Sequence, residues 1–380
     1  MEIKNLKKAA ERIIKAIEDK EKIIIYGDSD MDGVCSVILL KECIRNLGGD
    51  NTLIYFPDRE RDGYALNEKA LKNLEKESPA LLVTLDFSLT NFEDLKLAKK
   101  MGFETIVIDH HDILDKNPPA DIFVNPKQKG DKYPFKLFAN VGIVYRLAIL
   151  LLKDKMTANL RRDLLELAMM ATIADMMPRE QDNEEIVIEG LSSLKDSWRP
   201  GIQALLALES IKPLSLVYQI NKMNSLLNIR DIENDFPVSY RLLTISNLEE
   251  AGRIVEDLLE RSEVKKRMVK EITEEIERRI STKKEPVVLE GHSTWELILL
   301  GIVASILTEK YNKPFFLYRK GKEESQGSIR TFKGDNVVKA MQSCHDYLEN
   351  YGGHPQAAGF KIKNENLEKF KECLVEYYDK

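Results

Sequence analysis

Three aspartates occupy alternate positions in Gly27-Asp28-Ser29-Asp30-Met31-Asp32-Gly33, immediately after the apolar run Lys22–Tyr26. On extended backbone, alternate side chains project to one side, so these carboxylates converge. Left alone they repel one another and resist ionisation. A hard divalent cation relieves that repulsion, and oxygen ligands suit Mg2+ or Mn2+. The same letters open an EF-hand calcium loop, but such a loop needs a glutamate at its twelfth position, which counted from Asp28 is Leu39. An EF-hand loop also follows a helix, and this segment follows a strand-like run. Gly33 then lets the chain turn into a helix.

Further acids sit where later apolar runs stop. Asp86 closes Ala80–Leu85, and Asp109-His110-His111-Asp112 closes Thr105–Ile108. Adjacent histidines stand out in a chain that has five, and imidazole suits borderline transition metals. Asp175 ends an otherwise apolar helical stretch, where an acid is costly to bury unless paired or metal-bound. Near the C-terminus, Gln326-Gly327-Ser328-Ile329-Arg330 carries a guanidinium able to grip a phosphate bidentately. In Tyr351-Gly352-Gly353-His354-Pro355-Gln356-Ala357-Ala358-Gly359-Phe360 the paired glycines allow close approach of a ligand to backbone.

The elements that must position these residues are legible as a pattern. Short β-branched runs at Lys22–Tyr26, Thr52–Phe56, Ala80–Leu85 and Thr105–Ile108 alternate with helical stretches at Val34–Leu47, Asn67–Glu77 and Asn91–Met101. Continuous apolar strands separated by helices predict an α/β fold with a parallel doubly wound sheet. Ligands gather at the carboxyl ends of such strands. Residues 1–198 are expected to form this metal-binding domain, residues 199–285 a helical connector, and residues 286–380 a smaller α/β domain with a mixed sheet. The connector ends in one long amphipathic helix, Leu248–Ile280, and the last part reads β-α-β-β-α-β-α.

Composition narrows the classes. Lys plus Arg is 57 against 63 for Asp plus Glu, a net charge of −6, so a surface basic throughout is excluded while a local basic groove is not. Cys35, Cys43, Cys344 and Cys373 lie far apart and predict neither a disulfide framework nor a zinc cluster. No apolar run reaches the ~18 residues of a membrane span. A cytoplasmic protein is expected. There is no P-loop and no G-x-S-x-G, so nucleotide-triphosphate and serine chemistry have no support.

Together these signals resemble the DHH phosphoesterase superfamily over nearly the whole chain. Asp28-Ser29-Asp30-Met31-Asp32-Gly33 is similar to its first motif, Asp86 to its second, Asp109-His110-His111 to the third that names it, and Asp175 to its fourth. The two C-terminal segments resemble the signatures of the DHH-associated domain. Within the superfamily the G-D-x-D-x-D-G form looks like that of RecJ-like single-strand exonucleases, of archaeal type.

The resemblance implies a metal-dependent phosphodiesterase using two Mn2+ ions, with Mg2+ as the alternative. Asp30 and Asp86, with Asp28, are implied for one ion, and Asp32, Asp86, His110 and Asp175 for the other. His111 is implied to contact the scissile phosphate, with Asp109 orienting a histidine. Ser328, Arg330, Gly352, Gly353 and His354 are implied to clamp substrate across a cleft. The implied partner is single-stranded DNA or RNA, with docking to replication or RNA-processing proteins, and no membrane. Two departures stand out: Tyr26 replaces a histidine found in many relatives, and Trp295-Glu296-Leu297-Ile298 replaces a Trp-His-Pro-Gly segment. The competing readings are a phosphodiesterase for short oligonucleotides or cyclic dinucleotides, and a replication scaffold.

Overall fold

A computed structural model describes residues 2–58, 65–87, 92–113, 116–228, 232–281 and 285–379, apart from the side chain of His354. The chain divides into two compact units, Met1–Leu259 and Glu260–Lys380.

The first unit opens with α1 (Leu6–Glu18) and then alternates strand and helix: β1 (Ile23–Gly27), α2 (Met31–Asn46), β2 (Thr52–Tyr55), α3 (Glu68–Leu74). β3 (Ala80–Leu85), α4 (Phe92–Lys100), β4 (Phe103–Ile108) and β5 (Ile122–Val124) follow. The strands are all parallel in the order β2-β1-β3-β4-β5. Each central strand is apolar on both faces: Ile23 and Ile25 join one core and Ile24 and Tyr26 the other. That is why these runs are unbroken rather than alternating. The strand order reverses at β1, which has β2 on one side and β3 on the other. The carboxyl edge beside this switch point is where such sheets bind ligands.

Helices complete the unit: α5 (Asn140–Leu152), α6 (Ala158–Ala174), α7 (Gln181–Ser193), α8 (Pro200–Leu206) and α9 (Leu216–Leu227). A hairpin of β6 (Ile232–Glu233) and β7 (Phe236–Pro237) leads to α10 (Val238–Thr244) and α11 (Leu248–Ile280). The boundary between the two units falls inside α11, the long amphipathic helix that periodicity predicted.

The second unit contains β8 (Val288–His292), α12 (Leu297–Tyr311), β9 (Phe315–Lys320), β10 (Glu324–Arg330) and α13 (Val337–Ser343). β11 (Leu348–His354), β12 (Ala357–Lys363) and α14 (Leu367–Tyr378) end it. Its sheet runs β11-β12-β10-β9-β8, antiparallel except for the β8–β9 pair. The sheet is mixed, as expected, but it holds one more strand than the sequence reading. β11 was missed because Gly352-Gly353 reads as a turn, and glycine is depleted in strands.

Two expectations need correction. Cys344 and Cys373 are joined in a disulfide, with Cα atoms 6.0 Å apart, whereas their wide spacing had argued against any. The end of α13 and the body of α14 lie side by side, an adjacency that spacing along the chain does not reveal. β5 also escaped the sequence reading, because a three-residue strand is too short to show a period.

Behind α6 lies a buried polar network. Arg199, almost wholly buried, forms a bidentate pair with Glu42 at 2.9 and 3.0 Å and donates to the Leu243 carbonyl. Nearby Glu166 is 1% exposed, and its Oε1 has no hydrogen-bond partner among the described residues. Burial pushes its carboxyl up to about 7, against the pull of Ser197 and Arg199. A raised carboxyl pKa means that the folded state holds its proton longer than the unfolded chain. Its stabilising contribution is therefore complete below the unfolded pKa, about 4.3, and is lost as pH rises through about 7. Glu166→Gln should leave the melting temperature unchanged at pH 4 and raise stability at pH 8 by on the order of 2–3 kcal/mol. Thermal melts of both proteins across that range check this; parallel curves would contradict it.

Candidate metal centre

The acids of the first unit are set out along the sheet edge by continuation of the strand ladder. The amide of Asp28 donates to the Leu85 carbonyl, that of Asp86 to Ile108, and that of Asp109 to Val124, at 3.3, 3.1 and 3.0 Å. Each acid is the residue just beyond its strand, one bond past the ladder. Asp86 sits at φ +67°, a left-handed conformation that aspartate tolerates better than most residues. Asp30 caps α2, its Oδ1 accepting from the amides of Asp32 and Gly33. Gly33 is required for a reason other than a turn: a Cβ there would lie 2.3 Å from the Asp28 carbonyl oxygen.

Asp32 is anchored from far away in sequence. Helix α5 begins after Ala139, which offers no capping side chain. Its first amides, Asn140 and Val141, donate to the two oxygens of Asp32 at 2.6 and 2.8 Å. The carboxylate therefore serves as the missing cap and rests on the positive end of α5. This partnership was not foreseen; its trace in the sequence is a helix start without Ser, Thr, Asp or Asn at the cap.

The side chains meet around Asp86 and His110. Ligand-type atoms of Asp28, Asp30 and Asp86 lie within 4.8 Å of one another, as do those of Asp32, His110 and Asp175, and those of Asp86, His110 and His111. Asp86 and His110 are each shared between two of these groups. The Nε2 of His110 stands 3.3 Å from Asp86, 3.7 Å from Asp175 and 3.9 Å from Asp32. Its Nδ1 is 2.9 Å from the Phe138 carbonyl, which can only accept, so Nδ1 carries a proton and Nε2 is the nitrogen that faces the acids.

The electrostatics of this corner are unbalanced. Burial raises Asp32 to about 7, with His110 pulling it down and Asp175 and Asp30 pushing it up. Asp86 is driven well above the carboxylate range by burial and then by Asp32 and Asp30. Asp175 is raised by burial also, against His110. Asp86 Oδ1 and Asp175 Oδ2 are buried and have no hydrogen-bond donor among the described residues. Acceptor atoms crowded without donors fit a cation. Ligands about 2.1 Å from one octahedral ion stand about 3 Å apart, close to the spacing around His110, so the residues present fit divalent metal.

His111 and Asp109 form a separate pair. Asp109 Oδ1 lies 2.7 Å from His111 Nδ1 and also accepts from the His111 amide at 3.2 Å. Burial pulls the His111 imidazole down, but the hydrogen bond and charge of Asp109 raise it overall. Its side chain is 38% exposed, so the ring is held at the rim. Tyr26 is turned away from these groups. Buried in the opposite core, it stacks on Tyr55 at 5.3 Å and donates to the Ala65 carbonyl.

In the second unit, strand register gathers the remaining residues. Ser328 of β10 is paired with Gly359 of β12, which is paired with Gly352 of β11. One step along, Arg330 pairs with Ala357 and Ala357 with His354. Paired residues share a sheet face. Among the described residues a Cβ on Gly352 would meet nothing within 4 Å, which leaves a shelf beside Ser328 and Arg330. Gly353 has a different role: at φ +139°, a Cβ there would press on Ala357 and Ala358 backbone at 2.5–2.6 Å. The side chain of His354 lies outside the described residues. Arg330 is half-buried, touches Gly301 closely enough that a Cβ there would lie 3.0 Å from Nη2, and has no carboxylate partner among the described residues.

Residues 22–172 match the DHH family, N-terminal domain, and residues 284–380 match the DHHA1 domain. The single-stranded-DNA-specific exonuclease RecJ of Bacillus subtilis (strain 168) is 31% identical over 391 residues, an alignment that takes in all of this chain and 48% of that protein. The chain thus spans about half the length of that relative. The RecJ of Salmonella typhimurium is 28% identical, with 100% of this chain and 70% of the relative covered. Among solved structures, exonuclease RecJ bound to manganese superposes with a TM-score of 0.85 at 25% identity, covering 100% of this chain and 96% of the other. The Mn2+ complex of RecJ from Thermus thermophilus gives 0.83 at 25% identity, with 100% and 55% covered. Matches to the DHH and DHHA1 domains in that order, with RecJ relatives and RecJ structures aligned along the whole of this chain, place it in the DHH superfamily as a RecJ-like protein, a DHH domain followed by a DHHA1 domain.

Proposed function

We propose that the chain is a metal-dependent exonuclease that hydrolyses phosphodiester bonds of single-stranded nucleic acid. The observation that carries this reading is the donor-poor cluster in which Asp86 and His110 are each shared between two ligand groups. Asp28, Asp30 and Asp86 would hold one Mn2+ or Mg2+ ion, and Asp32, Asp86, His110 and Asp175 the other. When bound, two such ions supply an activated water and neutralise the charge of the phosphodiester.

The protein's own groups do the rest. The Phe138 carbonyl fixes the His110 tautomer, and the α5 amides hold Asp32 in place, so the ligand atoms are oriented before any ion arrives. Asp109 steers His111, whose raised pKa favours an imidazolium that can donate to a phosphate oxygen. Arg330 and Ser328, with the open backbone at Gly352, grip a phosphate of the strand; a guanidinium without an acidic partner is available for an anion. The two RecJ structures bound to manganese support the choice of ion.

Incubation with Mn2+ and DNA or RNA oligomers labelled at either end tests the reading: successive mononucleotide release from one end supports it, and cleavage confined to dinucleotides or cyclic dinucleotides would replace it. Asp86→Ala and His110→Ala should each abolish Mn2+-dependent turnover; the metal-free melting temperature should stay the same or rise for Asp86→Ala, which removes a buried, repelled group, and fall for His110→Ala, which strips the Phe138 carbonyl of its donor and the acids of a favourable neighbour. Near-normal turnover in either variant would take that residue out of the site. Arg330→Ala should raise KM roughly tenfold or more, the loss of a charge-assisted pair of hydrogen bonds, with kcat little changed. Steady-state kinetics on a single-stranded oligomer measure this, and an unchanged KM would remove Arg330 from the phosphate grip.

A further inference from the structure

Beside Asp30, Asp32 and Asp175 a half-open cleft of about 390 Å3 runs to the face of α9. Its volume falls within the range of small-molecule sites, about 300–1,000 Å3. On this side lie Asn221, Asn224 and Ser225 of α9, at i, i+3 and i+4 on one helix face, and Asn228, the residue that caps its C-terminus. The rest of the lining sets Met31, Ile173, Ala174 and Met176 among the acids Asp30, Asp32 and Asp175. Met176 follows Asp175 directly, sits at φ +54° and is 88% exposed, so a large apolar side chain is held at the lip.

Among the described residues that line this cleft there is no lysine, arginine or histidine. On the α9 side the described lining offers neutral amides and a hydroxyl. Asn224 adds an independent sign. It is 6% exposed, its Nδ2 donates to the Met170 carbonyl at 2.9 Å, and its buried Oδ1 receives no donor among the described residues. An orphan acceptor in a cleft wall calls for an N–H or O–H from what binds there. Asn221, Ser225 and Asn228 are exposed.

We infer that this cleft is a nucleoside slot: it takes the base and sugar attached to the phosphate that the neighbouring acids act on. The inference rests on the function proposed above and names the part of the substrate read beside the metal centre. A base has an apolar face for Met176 and Ile173, whose contacts with rings are favourable and adaptable. It has a polar edge for the amides. Because an amide presents both a donor and an acceptor, the stripe fits the edge of any base.

The test is calorimetric titration of the whole protein in Mn2+, with a nucleoside 5′-monophosphate as one probe and inorganic phosphate as the other. The wild-type protein should bind the nucleotide at least about tenfold more tightly than phosphate. In Asn221→Ala/Asn228→Ala, two exposed positions whose loss leaves the melting temperature unchanged, nucleotide affinity should fall to the phosphate value while phosphate affinity stays. Asn159→Ala, on another surface of the same unit, should keep the preference. Equal binding of both probes by the wild type, or a preserved preference in the double variant, overturns the slot. If the preference behaves as expected in a protein that cleaves no oligomer, the slot stands and the exonuclease reading falls.

Discussion

Like charges held together out of water are the constraint on which this structure turns. Asp28, Asp32, Asp86 and Asp109 are almost wholly buried, and Asp86 Oδ1, like Asp175 Oδ2 beside it, has no hydrogen-bond donor among the described residues. Such a cluster is unfavourable in isolation, because burial and mutual repulsion both penalise ionisation. It persists because the scaffold leaves the acids no way to separate. Three of them are pinned by main-chain bonds that extend the parallel ladder, and Asp32 is pinned by the start of α5. Strain of this kind is tolerated where it prepares a site for a ligand of opposite charge.

The sheet topology explains why the acids come together at all. A parallel sheet sends every strand's carboxyl end to the same edge, and the reversal of order at β1 opens a gap there between the segments following β1 and β3. Asp28 to Asp32 line one side of that gap and Asp86 the other. The packing beneath is provided by strands that are apolar on both faces. The site is thus a consequence of the fold's connectivity, with the chemistry added at positions that bear little of the core.

The second unit uses a different device. An antiparallel ladder aligns residues from three strands into rows, and glycine at Gly352 and Gly359 clears the surface beside Ser328 and Arg330. Arg330 is half-buried without an acidic partner among the described residues, an arrangement that favours an incoming anion. In the proposed function the first unit would cradle cations and the second would grip an anion. Both are held by main-chain register more than by side-chain packing, so the positions of the functional groups follow from the backbone.

Much of this was written in the sequence. Periods of apolar residues marked the alternation of β1 to β4 with helices and the full extent of α11, because burial on one or both faces imposes a repeat of its own. Acids placed directly after apolar runs marked the cluster at the sheet edge, since a strand's end fixes where the next side chain must be. What the sequence could not contain is adjacency between distant segments. Asp32 capping α5 across 108 positions, the Phe138 carbonyl that sets the His110 tautomer, the pairing of Cys344 with Cys373, and the strand made by Leu348–His354 all depend on contacts formed only after the chain has folded. The amide stripe of α9 belongs to both: its spacing is visible in the sequence, but only the folded chain brings it to the acids. Residue types and their local periods are set along the chain, whereas hydrogen-bond partners and charge environments arise from long-range packing.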